Sequence, residues 1–159
     1  MNEHAKQALV DTIIREMNGK SENISFAQAQ YISRKVREKA NEMGVKAVVA
    51  VSNRTAQPIL VECMDDAFLA SYDIAVQKAY TVVSLKMSTS SLKPMAQPGG
   101  SLYGIQFTNQ GKIVIFGGGE PLCNSNGTVI GGLGVSGGTE EQDTALAAYG
   151  KKIFQKGGK

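Results

Sequence analysis

Lys78 is the residue whose surroundings in the sequence most need a chemical explanation. Wound at about 100° per residue, its segment sets Ser71, Ile74, Ala75, Val82 and Leu85 on an apolar and small face, with Asp73, Gln77 and Ser84 away from it. Lys78 falls in the middle of that face. An ammonium there is costly unless it snorkels outward, pairs with an acid, or points into a pocket that holds an anionic group. Two glycine-rich runs, Gly117–Pro121 (GGGEP) and Gly131–Gly138 (GGLGVSGG), could cradle a phosphate. The second precedes a helical pattern whose first N–H groups would face an anion. No lysine follows it as a P-loop requires, and no strand completes a βαβ unit after Gly132-x-Gly134-x-x-Gly137. Its other reading is structural, glycines admitting tight turns and the close packing of a helix on a sheet.

No catalytic set assembles from the remaining reactive residues. Ser136 has no histidine base in its own domain, since the single histidine is His4, close to the start of the sequence. Cys63 falls inside a strand pattern, where a buried, inert thiol is expected. Glu140, Glu141 and Asp143 open a helix, and interaction with its dipole accounts for them. Cys63 and Cys123 lack CxxC spacing, so ligand count excludes a structural zinc site and no metal site is expected. A haem-iron ligand from within the domain would have to be Tyr, Met, Lys or Cys.

These residues must be positioned by an ordered series of elements. Residues 5–17 set Leu9, Ile13 and Met17 at four-residue spacing with Val10 and Ile14 alongside, a short amphipathic helix followed by a polar linker through Asn23. Ser25-Phe-Ala-Gln28 is a capping-box pattern, and behind it Ala29, Ile32, Val36, Ala40 and Met43 form one apolar stripe ending at Gly44. Residues 46–52 and 58–64 read as a β-hairpin, 66–86 as a long helix and 88–100 as a loop. Strands are expected at 103–108, 112–117 and 128–135. Thr139-Glu-Glu-Gln142 then caps a last helix carrying Leu146, Tyr149 and Ile153. The order α-α-β-β-α-β-β-β-α implies an α+β fold, a five-stranded antiparallel sheet flanked by helices in a profilin-like layout. The expected division is residues 1–23 as an appended helix and linker, and residues 24–159 as the domain.

With 42% hydrophobic and 19% charged residues among 159, the chain has the composition of one globular domain. A net charge of +3 without a basic stripe makes nucleic acid a poor partner. No apolar run approaches the ~20 residues of a membrane span, and the first residues lack signal-peptide character. A cytoplasmic protein is the expectation.

The ordered set Met64-Asp-Asp-Ala67, Ser71-x-Asp-Ile-Ala-x-x-Lys-Ala79, Gln97-Pro-Gly99, Phe116-Gly-Gly-Gly-Glu-Pro121 and Gly127-x-x-Ile-Gly-Gly-Leu-Gly-Val-Ser-Gly-Gly138, with Glu141-Gln-Asp143, resembles the GlcG/HbpS family. That family takes in the C-terminal domains of PduO-type proteins and relatives from diol and glycerol operons. The resemblance covers about residues 24–152 and implies a profilin-like fold, a homo-oligomer and a binder of haem or corrinoid, some members being described as haem-degrading. Members that bind haem do so in differing ways, including through a histidine. Carried over residue by residue, it marks Asp73, Lys78, Gly119, Pro121, Ser136, Gly137 and Gly138 as the signature positions of a ligand site, and it brings no catalytic mechanism. The first residues resemble the encapsulation peptides of bacterial microcompartments, which implies that Leu9, Val10, Ile13, Ile14 and Met17 meet a shell or cargo protein and that the protein works inside such a compartment; packing on the domain or within an oligomer is the other reading. Three functions follow: a tetrapyrrole- or small-ligand-binding accessory protein, an enzyme acting on a small anionic metabolite, or an oligomeric assembly module.

Overall fold

The computed structural model describes residues 2–19 and 22–157, without the side chains of residues 11 and 14–19. In chain order the elements are α1 (Glu3–Gly19), α2 (Phe26–Glu42), β1 (Val48–Asn53), β2 (Pro58–Cys63), α3 (Ser71–Leu85), α4 (Thr89–Met95), β3 (Gly119–Cys123), β4 (Val129–Ser136) and α5 (Glu140–Gln155). Both capping boxes form: Ser25 accepts from the Gln28 N–H while Gln28 reaches back to the Ser25 N–H, and Thr139 and Gln142 do the same at α5. The strands make one antiparallel sheet in the order β2-β1-β4-β3.

Strand alternation divides the core between two layers. Ala47, Val49 and Val51 face α2 and α5, where Ile32, Val36, Leu122, Leu133, Val135 and Leu146 complete the larger cluster. Val48 and Ala50 face α3 and meet Ala75 and Ala79. On the α3 side β4 carries glycines where side chains would otherwise stand. A Cβ on Gly132 would lie 2.5 Å from the Ala79 carbonyl oxygen, and one on Gly134 would strike the Ala75 carbonyl and come within 2.8 Å of the Ala79 nitrogen. The run Gly131–Gly134 is therefore a packing surface inside a strand, and the antiparallel sheet carries no βαβ unit.

The α+β class holds, with four strands in place of the five expected. Residues 103–108 do not form a strand; hydrogen bonds from Ile105, Phe107 and Thr108 each reach back three residues and wind the segment into short 3₁₀ turns. Left-handed backbone at Gly104, Asn109, Gln110 and Gly111 sustains that path. Residues 112–117 are irregular, and the strand falls later, at Gly119–Cys123, inside what reads as a turn. Gly119 fits there because a Cβ would come within 2.9 Å of both Thr89 Cγ2 and Val82 Cγ1. Pro121 is tolerated because β3 is an edge strand. The long helix starts at Ser71, five residues later than expected, after Asp66 turns the chain with φ 64°. The expected loop at 88–100 contains α4, opened by Ser88, whose hydroxyl accepts from the Ser91 N–H.

Candidate functional site

At one end of the sheet, β4 runs out at Ser136, α5 begins, and the chain enters α3. Those three segments and Phe116 enclose a cleft of about 300 Å³. Phe68, Ala70, Ile74 and Phe116 make its apolar walls; Ser71, Ser136, Gly137, Gly138, Glu140 and Asp143 supply the polar lining. Phe68 is 72% exposed and its neighbour Leu69 95%, so the lip of the cleft is apolar and open to solvent. Ser136 Oγ donates to Ser71 Oγ at 3.2 Å, joining the end of β4 to the start of α3 beneath it.

Lys78 lies behind this lining with no exposed surface. Its Nζ donates to the Val135 carbonyl at 2.8 Å and to Asp143 Oδ2 at 3.1 Å, and sits 5.0 Å from the centre of the Phe116 ring. Asp143 Oδ1 accepts from the Gly138 N–H at 2.9 Å, so this one carboxylate fixes both the amine and the strand exit. Gly118, with φ 115°, closes over the amine; a Cβ there would come within 2.5 Å of Nζ. Burial pulls the Lys78 pKa below its ordinary value, and the attraction of Asp143 opposes that shift. Of the routes open to this lysine, the structure takes the acid partner.

A second carboxylate does similar work on the other side. Glu140 accepts from the Gly117 N–H at 2.9 Å and from Lys93 Nζ at 2.6 Å, ties that hold its pKa below the usual carboxylate value, the backbone bond contributing most. Glu140 and Asp143 thus do more than meet a helix dipole: each pins a glycine N–H and a lysine. Asp143 was legible only as an acid at a helix start, because its partner lies 65 residues away in sequence. Of the cleft walls, Ile74 was legible on the apolar face of the helix, while Phe68 and Phe116 carried no periodic signal of their own.

Among the signature positions, Ser136, Gly137 and Gly138 line the cleft. Lys78 touches it through Asp143 and Phe116. Asp73 is exposed in the first turn of α3, while Gly119 and Pro121 are buried in β3 and absent from the lining. Cys63, expected to be buried, is exposed at the end of β2, where the strand leaves the sheet. In α1, Leu9, Val10 and Ile13 are exposed, between 46% and 50%; the side chains of Ile14 and Met17 lie outside the described residues. Among the described residues, no group of three or more His, Cys, Asp and Glu side chains could hold a metal ion, and no helix is long and apolar enough to cross a membrane.

Among the described residues, a single antiparallel sheet with helices on both faces and an apolar-lipped cleft at one end defines a small α+β domain without a nucleophile–base pair in the lining. Residues 24–152 match the model of the haem-degrading HbpS-like proteins, and the chain belongs to that family. It is 48% identical over 133 residues to an uncharacterized 15.0 kDa protein of the dhaT-dhaS intergenic region of Citrobacter freundii, covering 84% of this chain and 93% of the relative. It is 37% identical over 138 residues to the corrinoid adenosyltransferase PduO of the same organism, covering 84% of this chain but only 41% of PduO. The crystal structure of the PduOC:haem complex superposes with a TM-score of 0.78 at 38% identity, over 82% of this chain and 94% of that one.

Proposed function

We propose that this protein is a non-catalytic accessory protein whose cleft binds a tetrapyrrole, haem or corrinoid, within a diol- or glycerol-metabolising bacterial microcompartment. The observation that carries the reading is the cleft, with aromatic and aliphatic walls and a hydrogen-bonding floor, in a domain that resembles one crystallised with haem. Ile74 and Phe116 would lie against the macrocycle and exclude water, and the Ser71 and Ser136 hydroxyls with the Gly137–Gly138 backbone would meet its edge. When bound, haem would supply a redox-active iron. The apolar walls would suit the face of a macrocycle, and the lining offers the iron no strong ligand: it contains no His, Met, Cys, Tyr or Lys, and both carboxylates are engaged. Binding therefore rests on face and edge contacts. The buried pair of Lys78 and Asp143 positions Gly138 and the start of α5; Asp143 reaches the lining, and Lys78 stays behind it.

Titration of the purified chain with haemin, metal-free protoporphyrin IX and aquocobalamin, followed by absorbance, tests this. Haemin and protoporphyrin should bind with affinities within about threefold of each other, and Ile74→Glu should weaken both by ~10-fold or more. No spectral change with any of the three would discard the reading, and binding of haemin without protoporphyrin would show that an iron ligand governs it. Light scattering on the same samples should give a multiple of 16.9 kDa, since the Phe68–Leu69 lip favours self-association.

The exposed stripe of α1 supports the compartment part of the proposal. Laid in an apolar groove of a shell or cargo protein, Leu9, Val10 and Ile13 would stabilise a helix that is marginal alone. In a cell that makes compartments, the double substitution Leu9→Glu with Ile13→Glu should leave the protein folded and outside them. Unchanged co-purification with the shells would reject targeting by α1.

A further inference from the structure

A second depression, of about 320 Å³, lies where α2 ends and β2 leaves the sheet, lined by Arg37, Asn41, Lys46, Cys63, Met64 and Asp65. It borders the apolar cleft through the backbone. Gly137, which lines the cleft, is pressed against the Lys46 carbonyl, and a Cβ on it would lie 2.8 Å from Ala47 Cα. In the sheet Val48 is paired with Cys63 on one side and with Ser136 on the other, so both depressions open at the same end of the strands. Residues 64–68 run from one to the other.

Charge separates the two. Beside the apolar cleft the cations are committed, Lys78 to Asp143 and Lys93 to Glu140. In the second depression Arg37 is held by Glu62 at 2.8 Å. Lys46 is exposed, and among the described residues it joins no ion pair and no ring contact. Asp65 is the acidic residue that lines the same depression.

We propose that the two depressions form one bipartite site, in which the apolar cleft takes the face of the ligand and Lys46 takes a carboxylate on its edge, so that the protein selects a carboxylate-bearing porphyrin over a corrinoid whose periphery is amidated. This rests on the reading that the apolar cleft binds a tetrapyrrole. An ammonium at the surface favours a carboxylate over a neutral amide or ester through a charge-assisted hydrogen bond, by a modest amount because solvent screens it.

Deuterohaemin and its dimethyl ester share macrocycle and iron and differ only in the two carboxylates. Titrated against the full chain, the diacid should bind about fivefold more tightly than the diester. Lys46→Ala should abolish that preference while leaving diester affinity unchanged, Lys46→Arg should retain it, Asp65→Asn should widen it, and added salt should narrow it. Equal affinity of the unmodified chain for both ligands, or equal weakening of both by Lys46→Ala, overturns the role of Lys46 while cleft binding stands. Binding of neither ligand removes the tetrapyrrole reading itself, and this inference with it.

Discussion

Under α2 and α5 the sheet presents Val49, Val51, Leu133 and Val135 to Ile32, Val36 and Leu146, side chain against side chain. Under α3 it presents Gly132 and Gly134, and helix backbone comes down onto strand backbone. Apart from Ser33 on α2, the buried polar groups collect on or beside this second face: Ser52 donates to the Ala79 carbonyl, Thr81 caps the Val114 N–H, Ser71 meets Ser136, and Lys78 meets Asp143. The first face can tolerate exchange of one aliphatic group for another, because rotamers there can adjust. Along Gly132 and Gly134 the second has no strand side chain to adjust, and the cleft lies at its end. Stability and positioning are thus assigned to opposite sides of one sheet.

One substitution on each side would break or sharpen that contrast. Gly134→Ala places a Cβ on the Ala75 carbonyl, a backbone atom that cannot rotate away. The expected cost is about 4 kcal/mol or more, with α3 lifted off β4. Leu146→Ala on the opposite face leaves a cavity and should cost about 3 kcal/mol. Chemical denaturation of both variants measures the difference. If Gly134→Ala proves the milder change, α3 is not held by close backbone approach and the contrast between the faces fails.

The same contrast explains which parts of the molecule were legible in the sequence. Local hydrogen-bond grammar announced α2 and α5 through Ser25–Gln28 and Thr139–Gln142, and two runs rich in strand-forming residues joined by a turn announced β1 and β2. Strand β3 was hidden because Gly119 and Pro121 are poor strand residues; Gly119 is required by the proximity of Val82 and Thr89, and Pro121 is admitted by the edge position of the strand, both tertiary facts. The segment 103–108 alternates like a strand, yet left-handed Gly104 and the Asn109–Gly111 turn coil it locally. In the site, Lys78 was conspicuous by its position on an apolar face. Its partner Asp143 and the wall residue Phe116 became recognisable only when α3, β4 and α5 were brought together.

The pair of Lys78 and Asp143 tests whether the polar groups of the α3 face serve stability or only position. Lys78→Ala leaves Asp143, 4% exposed, without its cation and retaining one N–H from Gly138; the expected loss is about 3 kcal/mol. Replacing both members, Lys78→Met with Asp143→Leu, removes the buried charges together and should recover most of that loss, because a desolvated ion pair contributes little net stability. The recovered variant should still bind porphyrin more weakly than the native chain, since nothing then fixes the Gly138 N–H at the cleft. pH supplies an independent reading. The folded-state pKa of Lys78 is lowered, mainly by burial, so as pH rises from that lowered value toward the ordinary lysine value the unfolded chain holds the proton more tightly than the folded one. Stability contributed by this group therefore rises with pH across that window, and below it the full cost of burying the charge is present. The native chain should show this alkaline rise in its denaturation midpoint relative to the double variant, whose profile should be flatter. A native profile that falls over the same window would mean that the amine is held charged more strongly than burial opposes it, and that the pair is a net source of stability.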